Sequence, residues 1–500
     1  MSDKRFLIFD LGASSGRSIV ASVSDDRFTM VETYRFDNGP VLAIDTLYWD
    51  ALRLFSEVKQ GLLASLGRFG SVESLAIDTW GCDFALLDSH GRLIGNPVTY
   101  RDVKRHERGA ELHKIMPEEE LFSLAGAPLD RIMSIYQLFS FQYDGATEYE
   151  RASHFLMIPD LLNYMLTGEM ANEFTNATMS LLVNQQNRTW ESRIIDRFGF
   201  DRSWFGELLE AGTTLGSVVP RVSADLGIEP VRVVLPATHD TASAVAGIPV
   251  SGQITPGSWA FISMGTWCIC GAETSAPVIS EATRLAGFGN EGGAEGKNLL
   301  VRNLVGLWII QECRARWQKD MHREISWSEI VDAATKASPF RSYIDVDDPR
   351  FSMAQSDMAA VVQDFCRETR QSVPESIGEI ARCVYESLAM KFRGTLLSLE
   401  ELTGVPIEVL HLVGGGIQNK LLCEWAANAA GIPVIAGPTE TTSVGNLIFQ
   451  MKNAGVVSSV AEGRDMCRRS FELDHYEPAG SDRWRAEFVR YRDVVRMKDG

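Results

Sequence analysis

A carboxylate can take a proton from a hydroxyl, and Asp240 stands where such a base is easily aimed. The apolar run 231–235 reads as a strand, Pro236 stops it, and Thr-Ala-Ser-Ala-Val-Ala after Asp240 suits a closely packed helix. Asp240 is therefore expected at a strand-to-helix turn between His239 and Thr241. There the positive end of the helix dipole would keep it ionised and exposed, a usable base. Asp is also a favoured N-cap, so a purely structural role is the competing reading for this residue alone. Residues 247–257 follow with the Gly, Pro and Ser content of a hinge.

Phosphate chemistry is suggested at residues 10–17. The apolar run 5–10 ends in Asp10, then Leu-Gly-Ala-Ser-Ser-Gly-Arg leads into a second apolar run, 18–23. Gly12, Ala13, Ser14, Ser15 and Gly16 are small enough to leave backbone N–H groups and hydroxyls open to polyphosphate oxygens, and Arg17 adds a cation. Asp10 is placed to hold a phosphate-bound Mg²⁺ through water. An ordinary hairpin turn is the alternative. The same strand, turn, strand pattern returns at residues 258–270, with Gly265 and Thr266 in the turn. The run 409–413 leads into Gly414, Gly415 and Gly416 and then a helix from about residue 419, a junction that lets a flat ligand or a phosphate approach the backbone. Residues 303–313 read as one apolar helix interrupted by Asn303 and Gln311. Trp80 and Asp83, beside Gly81, offer either an aromatic face and an acid to a sugar, or a core tryptophan and a turn.

The elements that position these residues show in the longer pattern. Helices are expected at residues 50–66, 156–167, 377–402 and 441–453, and a polar loop at 174–178. The Gly-x-Gly-x-x-Gly match at 287–292 lacks a preceding strand and reads as a plain glycine-rich loop, not a dinucleotide fingerprint. His106, His113 and His154 have no metal-ligand spacing. Five hundred residues predict two domains, drawn at 1–247 and 248–455, with 456–500 docking through its aromatic residues. A net charge of −18 disfavours nucleic acid and anionic membranes as partners, and no run is long enough to span a bilayer. The start of the chain has no signal-peptide pattern, and the eight cysteines form no Cys-x-x-Cys pair. Free thiols in a reducing cytoplasm are expected, Cys366 and Cys383 included.

Several stretches, taken in order, resemble the FGGY carbohydrate kinases of the actin-like, hexokinase-like ATPase superfamily: Asp10 through Arg17, Ile-Asp-Thr-Trp-Gly81, Phe-Thr-Asn-Ala-Thr178, His-Asp-Thr-Ala-Ser-Ala-Val245, Asn-Glu-Gly-Gly293, and Asn303 through Gln311. The resemblance implies an α/β fold of two actin-like (ribonuclease H-like) domains around a central cleft for ATP and sugar. Within the family these motifs are similar to the branch that phosphorylates L-rhamnulose at O1, with ATP and Mg²⁺. Carried over by motif, Asp240 accepts the sugar's proton. Ala13, Ser14, Ser15, Gly16, Arg17, Thr266, Gln311 and Gly415 meet the nucleotide; Gly81, His239, Thr241 and Asn303 meet the sugar. Residues 132–135 and 179–181 depart from that branch's pattern, which leaves another ketose such as L-fuculose, or a non-catalytic sugar sensor of the same fold, as alternatives.

Overall fold

A computed structural model describes residues 4–251, 254–255 and 257–496, without the side chains of residues 105, 106 and 496. Residues 252, 253 and 256 of the expected hinge, and the His106 side chain, lie outside the described residues.

The chain forms two compact units, and neither is one continuous segment. The first takes Met1–Gln253, Glu273–Leu300 and Glu440–Phe471; the second takes Ile254–Ala272, Val301–Thr439 and Glu472–Gly500. These bounds differ from the linear division at residues 247 and 455. The helix Thr441–Asn453 lies on the strands Lys4–Leu11 and Ser74–Thr79 and against the helix Asp240–Ala246, so packing assigns it to the first unit.

In the first unit a six-stranded sheet runs in the order Thr214–Ser217, Arg232–Val234, Ser74–Thr79, Lys4–Leu11, Ser15–Ser24, Arg27–Asp37. The last three form an antiparallel meander, while Ser74–Thr79 pairs in parallel with Lys4–Leu11 and with Arg232–Val234. Phe6, Leu7, Ile8 and Phe9 are all buried because helices cover both faces of the central strand, which explains a continuous rather than alternating apolar run. On one face lies the helix Ala51–Phe69, started by Asp50 accepting from the Arg53 N–H at 3.0 Å and burying Leu54, Val58 and Leu62.

The second unit repeats this order. Six of the seven strands of its sheet run Asn298–Val305, Trp267–Thr274, Trp259–Met264, Val409–Val413, Val434–Ala436, Asp474–Tyr476, and Gly289–Gly292 flanks the first of them. Trp259–Met264 pairs antiparallel with Trp267–Thr274 and parallel with Val409–Val413, and the outermost strand is again antiparallel. The helix Ile377–Thr403 begins with a Ser376/Glu379 capping box and ends at Gly404. Helix Ser481–Arg496 docks as its aromatics suggest, with Trp484, Phe488 and Tyr491 buried and Trp484 edge-on to Phe340. All eight cysteines are free and buried, and no described helix is long and apolar enough to cross a membrane.

Three expectations give way here. Residues 303–313 are not one helix: the strand Asn298–Val305 carries Asn303, and the helix Trp308–Met321 starts only after Gly306. Residues 174–178 are not a loop but the helix Phe174–Ala177 running into a 3₁₀ turn, with Thr175, Asn176 and Thr178 buried. Four residues of the glycine-rich stretch form the strand Gly289–Gly292.

A buried ion pair fastens the Asp240 helix at its far end. Arg464 donates to Glu273 at 2.9 Å and to the carbonyls of Val245 and Ala246 at 3.0 and 3.2 Å, with both charged side chains nearly sealed from water. Burial alone would raise the Glu273 pKa, but Arg464 and Lys297 hold it below the ordinary value. Arg464→Leu would leave that carboxylate and two helix-end carbonyls short of their donor, and we expect a loss of about 3–5 kcal/mol in urea unfolding. An unchanged midpoint would show that Lys297 suffices.

Candidate active site

The parallel register sets Asp10 beside Asp78, and the antiparallel register sets Asp10 opposite Arg17. Arg17 bridges two acids: its Nη2 is 2.7 Å from Asp10 Oδ2, and it also pairs with Glu440. Burial would lower the Arg17 pKa, but Asp10 and Glu440 raise it well beyond its usual value, so the guanidinium stays charged. Ser443 donates to Asp10 at 2.9 Å and Asn446 to Asp78 at 2.6 Å, both from the helix Thr441–Asn453. Asp78 Oδ1 is buried with no partner, and burial followed by the Asp10 charge pushes the Asp78 pKa well above the carboxylate range.

The 10–17 turn is tighter than its composition suggested. The Gly12 N–H donates to the Ser15 carbonyl at 2.9 Å, and Ser15, Gly16 and Arg17 already belong to the sheet, opposite Asp37, Phe36 and Arg35. Only Ala13 and Ser14 form the tip. The loop thus offers a phosphate fewer amides than five small residues implied.

Asp240 is the first residue of the helix Asp240–Ala246, and the cap position falls to His239. The Thr241 N–H donates to Asp240 Oδ1 at 2.7 Å. The side chain keeps 37% of its surface exposed while its neighbours are sealed. Contrary to the expectation of a carboxylate kept ionised by the helix end, surrounding protein and then the Asp10 charge push the Asp240 pKa up to about 7. Desolvation and a like charge outweigh the Thr241 N–H and hydroxyl donors.

His239 is buried, with Nε2 3.5 Å from Asp240 Oδ1 and Nδ1 3.4 Å from Glu291 Oε2. Burial lowers its pKa, so the ring is neutral. Gly81 lies against it: a Cβ there would come within 3.2 Å of the imidazole and 2.7 Å of Met179. The segment is held from beneath by Glu173, fully buried, which accepts from the N–H and the hydroxyl of Thr238, each at 2.9 Å, and from the Thr175 N–H at 3.0 Å. The Asn176 side chain donates to the Thr238 carbonyl at 3.2 Å. Trp80 and Asp83 take the structural reading: Asp83 is fully buried and accepts from the indole N–H groups of Trp49 and Trp80 at 2.6 and 2.9 Å and from Gln137 at 3.0 Å.

The second unit holds a pocket of about 610 Å³ lined by Thr266, Gln311, Trp327, Tyr385, Gly415 and Asn419 among others. The Thr266 hydroxyl donates to Gln311 Oε1 at 3.1 Å, and the Thr266 carbonyl accepts from Trp308 N–H at 3.1 Å. Gly414 has φ +81° and sits where a Cβ would be 2.9 Å from the Met264 carbonyl, whereas a Cβ on Gly415 would meet nothing within 4 Å. The junction is thus packed at Gly414 and Gly416 and open at Gly415, which lines the pocket together with Gly416.

The two domain models of the FGGY family of carbohydrate kinases match this chain, the N-terminal one over residues 5–247 and the C-terminal one over residues 260–454. The chain belongs to the FGGY family of carbohydrate kinases. The kinase is 36% identical to the rhamnulokinase of Bacteroides thetaiotaomicron over 99% of its own length and 100% of that protein's, and 37% identical to the rhamnulokinase of Enterococcus faecalis over 95% and 94%. Its fold is that of two Lactobacillus acidophilus structures, a ligand-bound xylulose kinase (TM-score 0.82) and a gluconate kinase (TM-score 0.81), each 14% identical and covering 99% of this chain and 98% of its own.

Of the residues singled out by sequence, Asp10, Ala13 to Arg17, Gly81, His239, Asp240 and Thr241 fall in the first unit, and Thr266, Asn303, Gln311 and Gly415 in the second. Asn303 is exposed on its strand and does not line the pocket that gathers Thr266, Gln311 and Gly415. Sequence reasoning passed over Asp78, Glu173 and Glu291. Asp78 alone had a usable signal, an acid ending an apolar run as Asp10 does.

Proposed function

We propose that this kinase transfers the γ-phosphoryl group of ATP to O1 of L-rhamnulose, giving L-rhamnulose 1-phosphate and ADP. The observation that carries the chemistry is Asp240, a partly exposed carboxylate among buried neighbours with its pKa pushed up to about 7. Near neutrality it is both available as a base and strong enough to accept a proton, the compromise that general-base catalysis favours. The acceptor's identity rests on the full-length relatives named rhamnulokinase.

In this reading Gly81, His239 and Thr241 orient the ketose so that its O1 hydroxyl meets Asp240. Thr266, Gln311 and Gly415 receive the nucleotide in the second unit's pocket, and in the first unit the tip at Ala13 and Ser14, with Ser15, Gly16 and Arg17 behind it, offers small residues and a cation suited to phosphate oxygens. Arg17, charged and already shared between Asp10 and Glu440, sets how those acids are aimed.

The residues present suit a Mg²⁺ ion. Asp10 and Asp78 stand side by side, and the buried Asp78 Oδ1 has no partner. Among the described residues no three His, Cys, Asp or Glu side chains gather into a metal cage, so an ion held by Asp10 would need phosphates and water as its other ligands. When bound, the ion supplies charge neutralisation on the phosphates. Use of ATP and eight free thiols favour a cytoplasmic setting.

ADP release measured across L-rhamnulose, L-fuculose, xylulose and glycerol tests the proposal. L-rhamnulose should give the highest kcat/KM. A different best acceptor would overturn the substrate, and equal ADP release without any sugar would overturn the transfer.

A further inference from the structure

Behind the proposed proton acceptor stands a second, buried acid. Glu291 is carried on the strand Gly289–Gly292, and both of its neighbours are fixed. The backbone N–H and side-chain amide of Asn290 donate to the Gly126 carbonyl at 2.7 and 2.8 Å, and its side-chain oxygen accepts from Val278 N–H at 2.7 Å. The Gly292 N–H donates to the Thr178 hydroxyl at 3.0 Å. So held, Glu291 Oε2 lies 3.4 Å from His239 Nδ1, while His239 Nε2 lies 3.5 Å from Asp240 Oδ1. The Glu291 and His239 side chains are each 4% exposed, and Nδ1 and Oε2, close to each other but not aligned for a hydrogen bond, have no other partner.

A neutral imidazole has one proton for two nitrogens, and what each nitrogen faces decides which one carries it. Burial raises the Glu291 pKa and the His239 ring lowers it; in its ionised form Glu291, opposite Nδ1, draws the proton there and leaves a lone pair on Nε2. Facing Asp240, that lone pair repels the charged carboxylate and accepts a hydrogen bond from the protonated one. The geometry points to Glu291 as a positioning residue that holds His239 in its Nδ1–H tautomer, so that Nε2 accepts from the protonated Asp240 formed as the sugar hydroxyl attacks. The inference rests on the phosphoryl-transfer reading above. In that step the hydroxyl hydrogen passes to Asp240 as its oxygen bonds to the γ-phosphorus, and the bond from that phosphorus to the β-phosphate bridging oxygen breaks, its electron pair leaving with ADP. Glu291 and His239 neither gain nor lose a proton.

The tautomer can be read with neither sugar nor nucleotide present. Imidazole ¹⁵N shifts are recorded in mildly alkaline buffer, with the His239 signals assigned by their loss in His239→Gln. The native protein should show Nδ1–H. Glu291→Gln should keep it, because the amide oxygen still accepts from Nδ1–H, and Glu291→Leu should switch to Nε2–H. With L-rhamnulose, Glu291→Leu should lose at least about tenfold in kcat with a smaller change in KM for the sugar, and Glu291→Gln should recover most of it. A native His239 in the Nε2–H or the charged form overturns the inference, as does a Glu291→Leu protein with native kcat. Should Glu291→Leu not fold, the native spectrum still decides. If L-rhamnulose is not turned over, the substrate reading fails while the nitrogen shifts continue to test Glu291.

Discussion

Asp240→Asn is expected to lower ADP release with L-rhamnulose by at least about a hundredfold, the usual scale for removing an acid–base group. The amide keeps the shape and still accepts from Thr241 N–H, so the loss isolates the proton rather than the packing. The pH dependence follows from the same residue. Its pKa is raised from 3.8 to about 7 by burial and then by Asp10, so the active, ionised form disappears as pH falls through that value. Native kcat/KM should therefore drop below about pH 7 and level off above it, and the residual activity of the variant should lack that limb. Stability moves the other way. An acid whose pKa is higher folded than unfolded loses stability as pH rises between the two values, 3.8 and about 7 here. Asp240→Asn should unfold at a higher temperature than the native protein at and above neutral pH, with the gap closing in acid. A variant with near-native turnover would remove Asp240 from the chemistry.

The second large effect should come from a residue that touches no substrate. Gly445, on the helix Thr441–Asn453, lies so close to the helix Asp240–Ala246 that a Cβ would sit 1.8 Å from the Ser243 carbonyl oxygen and 2.6 Å from its carbon. Backbone cannot yield as a flexible side chain can, so Gly445→Ala must push the two helices apart. Overpacking of this kind costs about 1–3 kcal/mol, and a clash with backbone puts it at the upper end. Because the displaced helix starts at Asp240, kcat should fall as well. Urea unfolding and steady-state turnover on one preparation would check both, and a native-like midpoint would mean that the helices slide apart freely.

The residues legible in sequence were those whose chemistry and local pattern agree. Asp240 at a strand-to-helix turn, the turn after Asp10 and the glycines after Val413 announced themselves because strand ends and small residues are local signals. The two helices expected at residues 377–402 and 441–453 were found at Ile377–Thr403 and Thr441–Asn453 for the same reason. Long-range pairing left no such mark. Asn303 was read as helical because strand and helix on either side of Gly306 are both apolar, and periodicity cannot separate two buried elements joined by two residues. Residues 174–178 looked like a polar loop because their donors are satisfied by Glu173 and by backbone that folding brings in. The Asp240 pKa was misjudged because the helix end is visible in sequence, whereas burial of the carboxylate and the approach of Asp10, 230 positions earlier, are not.

The interleaving of the two units bears on how the protein is made. The chain passes from the first unit to the second after Gln253, but the helix that covers the strands Lys4–Leu11 and Ser74–Thr79 does not begin until Thr441. At about 5–20 residues per second, a ribosome takes roughly 10–40 s to synthesise the intervening stretch. For that interval the nascent first unit has one apolar sheet face without its cover, along with an Asp10 that still lacks Ser443 and an Asp78 that still lacks Asn446. This topology delays completion of the first unit until residues 441–453 have been made.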